Sequence, residues 1–151
     1  MGGQNIFHVG EDNSNLAAIL DVLTKKQTVT IMAQKYIPDI AESGDKRILL
    51  IAGKPVPYAL ARIPAPNKFR GNLAHGASSK VVALTEKELL ICEKLSASLL
   101  EQGLYFVGID VIGRFLTEIN ITSPTCIKEI EKETGIDIAR QYIKYLATIA
   151  G

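Results

Sequence analysis

The chain has 151 residues, 47% of them hydrophobic, which is enough for one domain with a core of its own. Lys and Arg number 17 against 16 Asp and Glu, so there is no basic surplus of the kind that binds nucleic acid or an anionic membrane. No apolar run approaches the roughly 20 residues needed to cross a bilayer.

The opening MGGQNI lacks the basic and apolar regions of a secretion signal, and Ile6 stands where myristoylation wants Ser or Thr. Cys92 and Cys126 have neither CxxC spacing nor a histidine cluster nearby, which argues against zinc. A cytoplasmic protein with reduced thiols is the expectation. Residues 15–23 have helical spacing, with Asn13 or Ser14 as cap. Residues 29–34 are rich in β-formers and predict a strand that ends at Tyr36-Ile37-Pro38. Residues 41–45 read as a polar turn. Residues 47–51 and 56–63 predict two strands joined through Ala52-Gly53-Lys54-Pro55.

From 64 to 80 the apolar pattern stops, and PAPNKFRGNLAHGASSK carries Pro, Gly and basic side chains instead. A structureless connection of this length is usually functional or disordered. Thr85 opens a helix with Glu88 at the capping-box spacing, and Gly103 ends it after about Gln102. A hairpin over 104–121 turns at Gly113-Arg114. A helix over 124–133 and a last one over 136–149 complete an α+β domain with a largely antiparallel sheet and no internal repeat.

The second hairpin carries the chemistry. Glu118 and Asn120 are two apart, so a strand points both to one face. Asp110 joins them if it lies opposite Glu118, a register that a three-residue turn centred on Arg114 supplies. Three oxygen donors on one face suit Mg²⁺. They also suit the solvent face of an ordinary hairpin, and periodicity alone favours that plainer reading. Ser123-Pro124-Thr125 shifts the weight: Ser123 is a good N-cap, Pro124 fits the first helical position, and a helix start favours an anion. Arg47, Arg62 and Arg70 add guanidinium forks for phosphate or carboxylate, a weak signal by itself.

Together MAQKYIP, SGDKR, PVPYALARIP, FRGN, FVGIDVIG and LTEINITSPTCI resemble the bacterial glutathione synthetase family of ATP-grasp ligases. LTEINITSPT following FVGID is the specific part of that signature. The resemblance covers nearly the whole chain and corresponds to the C-terminal half of the family's enzymes. It implies that Asp110, Glu118 and Asn120 hold Mg²⁺, with Mn²⁺ able to substitute, between the ATP phosphates. It implies that Gln34, Tyr36 and Ile37 line the adenine pocket as a hinge strand and that Asp45 meets the ribose. Arg47 and Arg62 would face the transferred phosphate and the dipeptide, and Ser123 and Thr125 would mark a substrate-binding helix start. Residues 64–80 would be a mobile lid with Arg70 and Asn72 in its RGN core. The implied reaction phosphorylates the carboxylate of γ-glutamylcysteine with ATP and lets the glycine amine attack. A homo-oligomer is implied by the tetrameric family, with no nucleic-acid or membrane partner.

This sequence departs from the family in three places. The family's DGMGG-like loop is reduced to Met1-Gly2-Gly3, the N-terminal domain and clamping lysines have no counterpart, and Ser78 stands where the family carries Arg. A remnant that only binds nucleotide or a partner, or another carboxylate–amine ligase of the superfamily, are the alternatives. His8 and His75 read as incidental, Cys92 and Cys126 as structural although a helix start could lower the Cys126 thiol, and Tyr142 and Tyr145 as packing or oligomer contacts.

Overall fold

The computed structural model describes residues 5–12, 14–65 and 78–150. They fall into two compact units that divide after Pro38. The first holds α1 (Leu16–Leu23), whose cap is Asn15 rather than Ser14, with no side-chain cap hydrogen bond; Asn13 lies outside the described residues. The helix ends where the Thr24 hydroxyl donates to the Leu20 carbonyl at 2.7 Å and accepts from Gln27 N at 2.9 Å. The strand expected over 29–34 is not there: residues 30–37 have no regular structure. Strand preference measures fit to a paired, half-buried surface. Among the described residues of this unit there is no strand for it to pair with.

The second unit is a five-stranded antiparallel sheet in the order β3-β2-β1-β4-β5. Its strands are β1 (Asp45–Ile51), β2 (Lys54–Ile63), β3 (Ser78–Ala83), β4 (Phe106–Ile112) and β5 (Phe115–Asn120). The polar turn expected before β1 is instead a short helix, α2 (Ile40–Ser43), closed by Gly44 at φ 72. β1 and β2 join through two residues, not four: Ala52 and Gly53 both have positive φ, 50 and 74, and Ile51 faces Lys54. That turn hand matches the twist of the strands it connects. β3 is an unexpected strand that takes the end of the long connection, with Ser78, Ser79 and Lys80 opposite Ile63, Arg62 and Ala61. It is a sheet edge, so only Val81 and Val82 need to be apolar, one for each core.

Both faces of the sheet are covered. Ile48 and Leu50 of β1 pack with Val107, Ile109 and Val111 of β4 and with Cys92 and Leu99 of α3 (Glu86–Glu101). Leu49 and Ile51 turn the other way, towards Ile130 of α4 (Ile127–Thr134) and Ile138 of α5 (Ile138–Ala150). This is why β1 reads as an unbroken apolar run. Thr85 and Glu88 form the expected capping box, and the buried Glu88 also takes Lys46 Nζ at 2.7 Å. Tyr142 stacks on Phe106 at 4.9 Å and Tyr145 tilts against Tyr105 at 5.4 Å, so both pack against β4 and the residue before it.

α4 starts at Ile127, not at Ser123-Pro124. Ser123 and Cys126 both lie in left-handed backbone, φ 49 and 85, and each interrupts a helical run. The N-terminal N–H groups of α4 are thus displaced by three residues from the expected cradle. Glu131 of α4 accepts from the backbone N–H of Ile138 and Ala139 at 2.8 and 3.1 Å, which ties α4 to the start of α5.

Candidate functional site

Register brings the site together. Arg47 of β1 lies opposite Asp110 of β4, and Asp110 lies opposite Glu118 of β5, so three charged residues form a row across three strands. Asn120 lies opposite Gly108 in the next row. The row occupies the face that carries Leu49 and α4. The Asp110–Glu118 pairing is the expected one, but it is reached differently. The turn is the two residues Gly113-Arg114, with Ile112 opposite Phe115, and the register then shifts by one residue at Thr117. A β-bulge, not an odd-numbered turn, places the carboxylates side by side.

Arg47 holds the cluster. Its Nε donates to Asp110 Oδ1 at 2.5 Å and its Nη2 to Asp110 Oδ2 at 2.9 Å, while Nη1 reaches Thr125 Oγ1 at 3.4 Å. With the Asn120 amide turned to suit its neighbours, its oxygen accepts from Arg47 Nη2 at 3.2 Å and its nitrogen donates to Glu118 Oε1 at 3.0 Å. Arg62 Nη2 lies 2.5 Å from Asp45 Oδ2 and 3.1 Å from Asp110 Oδ2. Asp110 is therefore gripped by two guanidinium groups.

The electrostatics follow from burial. Burial alone would raise the Asp110 carboxyl, but the hydrogen bond from Arg47 and the charges of Arg62 and Arg47 outweigh it and hold the group below the usual range. For Arg47 burial works against the charge, and Asp110 more than compensates, so its pKa rises. Asp45 goes the other way: burial pushes its carboxyl up to about 6 despite Arg62, and the nearby Asp110 charge adds to the effect. Its Oδ1 is buried without a hydrogen-bond partner. The Cys126 thiol is pushed up by burial, against the Thr125 hydrogen bond and the two arginines, so the lowering that a helix start suggests does not occur.

The structure thus gathers Asp45, Arg47, Arg62, Asp110, Glu118, Asn120 and Thr125. Ser123 is exposed on the loop before α4. Gln34, Tyr36 and Ile37 belong to the first unit, where Tyr36 stacks on His8 with ring centres 4.1 Å apart. Arg70, Asn72 and His75 lie outside the described residues. Gly108 was not singled out by sequence, yet a Cβ there would lie 2.7 Å from Pro124 Cβ and 3.1 Å from Arg47 Cδ. Its signal is legible: a glycine inside a strand marks close approach of a neighbour.

Two carboxylates and an amide oxygen are the donor types a hard dication takes. Asp110, Glu118 and Asn120 therefore fit Mg²⁺ in chemistry, with the Arg47 guanidinium now providing positive charge among them. Among the described residues no three carboxylate, imidazole or thiol side chains cluster as a metal site, so the amide is required to complete the set.

A single antiparallel sheet with helices on both faces, and a carboxylate–amide–guanidinium cluster at one end of it, is the α+β architecture of an ATP-grasp domain. The chain belongs to the prokaryotic glutathione synthetase ATP-grasp domain family, whose model matches residues 1–135. It is similar to the glutathione synthetase of Ralstonia nicotianae, 50% identical over 151 residues, which is all of this chain and 46% of the relative. It is 45% identical over 148 residues to that of Coxiella burnetii, covering 98% of this chain and 46% of the relative. The Pseudomonas aeruginosa glutathione synthetase is 53% identical over 132 residues, 87% of this chain and 41% of the relative. The chain thus spans somewhat under half the length of these curated relatives. No described helix is long and apolar enough to cross a membrane.

Proposed function

We propose that residues 1–151 form the C-terminal ATP-grasp portion of a glutathione synthetase, a cytoplasmic homo-oligomeric ligase that joins γ-glutamylcysteine to glycine at the expense of ATP. The observation that carries this reading is a charge balance. The cluster holds three carboxylates (Asp45, Asp110, Glu118) against two guanidinium groups (Arg47, Arg62), an excess of one negative charge when all are ionised. A polyphosphate approaches such a site only together with a cation. Asp110, Glu118 and Asn120 would hold Mg²⁺, which when bound neutralises phosphate charge.

The chain's own residues supply the positioning. Arg47 is locked by Asp110, so its fork is oriented before any substrate arrives and little entropy is lost on contact. Arg47 and Arg62 face the phosphate in transit and the carboxylate of the dipeptide, with Ser123 and Thr125 at the loop edge for the substrate. The carboxylate oxygen attacks the terminal phosphorus and ADP leaves; the glycine amine then attacks the acyl carbon and phosphate leaves. Phosphoryl transfer needs placement and charge neutralisation more than covalent help. Gln34, Tyr36 and Ile37 would take the adenine and Asp45 the ribose, and Arg70 and Asn72 would close over the phosphates.

Titration calorimetry tests the reading. Chain 1–151 should bind ATP weakly, only with Mg²⁺ present, and Glu118→Gln should weaken that binding further without altering the fold. Equal affinity in wild type and variant removes Asp110, Glu118 and Asn120 from the mechanism. The chain alone should form no glutathione from γ-glutamylcysteine and glycine, and measurable synthesis would overturn its reading as one portion of a longer enzyme.

A further inference from the structure

We propose that Arg47 Nη2 stands where a divalent ion would join Asp110 to Asn120, so that the ion enters by exchange with that nitrogen. This rests on the metal-ligand reading above. Nη2 donates to Asp110 Oδ2 at 2.9 Å and, with the Asn120 amide turned as described, to the Asn120 oxygen at 3.2 Å. Both oxygens belong to the set assigned to Mg²⁺. Arg62 Nη2 lies 3.1 Å from the same Asp110 oxygen, which therefore faces two guanidinium nitrogens. A carboxylate oxygen has only two lone pairs to offer. Mg²⁺ takes one at about 2.0–2.1 Å, well inside either nitrogen's distance, so one of the two must withdraw. Arg62 is anchored on Asp45 Oδ2 at 2.5 Å, whereas Arg47 is the group that also meets the amide oxygen.

A guanidinium cannot shed its proton to make room, so Arg47 has to move. Its stem has little freedom, because Cδ lies 3.1 Å from the place of a Cβ on Gly108. The motion is a tilt of the planar head about Nε, which keeps its contact with Asp110 Oδ1. Nη1 gives the tilt a direction. It reaches Thr125 Oγ1 at 3.4 Å, beyond the usual hydrogen-bond length of about 2.7–3.2 Å, and can close that gap. The exchange replaces one positive charge among the oxygens by two and frees Nη2 for an incoming phosphate. Loading of the metal and release of the arginine are then one event.

Chain 1–151 tests this without substrate. In NMR spectra of the wild type, the Arg47 Nη2 protons should be shielded from water exchange without metal and lose that shielding at saturating Mg²⁺, while the Nε proton keeps its own. Mn²⁺ affinity, read by electron paramagnetic resonance, should rise about 10-fold or more in Arg47→Met, the scale on which groups around a metal tune its binding. Arg62→Met removes the same charge from beside the same carboxylate but leaves Nη2 between the two oxygens, and should gain clearly less. Nη2 protons that stay shielded at saturating Mg²⁺ overturn the proposal, and this result decides alone where a variant fails to fold. Equal gains in the two variants, or no gain in Arg47→Met, overturn it as well. If no folded form binds Mn²⁺, or Glu118→Gln binds it as tightly as wild type, the metal-ligand reading itself falls and the exchange falls with it.

Discussion

Arg47 and Asp110 lie opposite each other on β1 and β4 and meet through two N–H···O contacts, with only 6% and 3% of the two residues exposed. Such a pair does not by itself make a fold more stable than apolar packing would. Breaking it from one side is another matter, because the remaining charge stays buried. Arg47→Ala should destabilise the chain by about 3–5 kcal/mol. Arg47→Lys should recover only part of that loss, since an ammonium cannot match the two-pronged geometry. Urea denaturation of the three proteins measures both effects, and equal midpoints for all three would contradict them.

Asp45 predicts a pH dependence. Its folded carboxyl titrates at about 6 against an ordinary 3.8, so the folded state holds the proton to higher pH than the unfolded state does. Its contribution to stability is fully present below 3.8 and is lost as pH rises through about 6. Asp110 works in the opposite sense: its contribution is present above the ordinary carboxylate range and is lost as pH falls through its lowered value. Asp45→Asn mimics the protonated group and should flatten stability between pH 4 and 6. Near neutrality it should add on the order of 1–2 kcal/mol. A parallel decline in wild type and variant would dismiss Asp45 as the source.

Gly108 predicts a steric effect at the site. A methyl group there must displace either the Pro124 ring or the Arg47 stem. Gly108→Ala should cost about 1–3 kcal/mol of stability and shift the Arg47 Nε resonance, because overpacking in a close-packed region moves its neighbours. An unchanged Arg47 signal would show that the loop at Pro124 yields instead.

The start of α3 offers a comparison of two hydrogen bonds of unequal weight. Thr85→Ala removes one capping interaction and should cost about 1 kcal/mol. Glu88→Gln weakens the return half of the capping box and also removes the charge paired with Lys46, where both side chains are largely buried. A loss of about 1–3 kcal/mol is expected, larger than that of Thr85→Ala. Thermal melts of the two variants decide the order.

The sheet was legible wherever a local rule settled the matter. Thr85 and Glu88 gave the start of α3, and the alternating cores behind residues 47–51 gave β1. Residues 29–34 misled because β-branched side chains report fit to a paired surface, and pairing is not a local property. Ser78, Ser79 and Lys80 hid an edge strand whose ladder partner, β2, is what orders it. The functional cluster was legible in its members but not in its geometry. A period of two put Glu118 and Asn120 on one face, yet nothing in Leu116-Thr117-Glu118 announces a bulge. Nor does Ser123-Pro124 reveal that the left-handed residues Ser123 and Cys126 postpone the helix.

The Arg47 guanidinium among Asp110, Glu118 and Asn120 has a further consequence for how the chain comes to be folded. It serves as an internal counterion, so the sheet can close over its acidic residues in the absence of any dissolved cation. Small zinc domains, by contrast, cannot fold until their metal arrives. Here chelation should leave the unfolding transition of the chain where it was, and assembly of the sheet is separated from loading of the site.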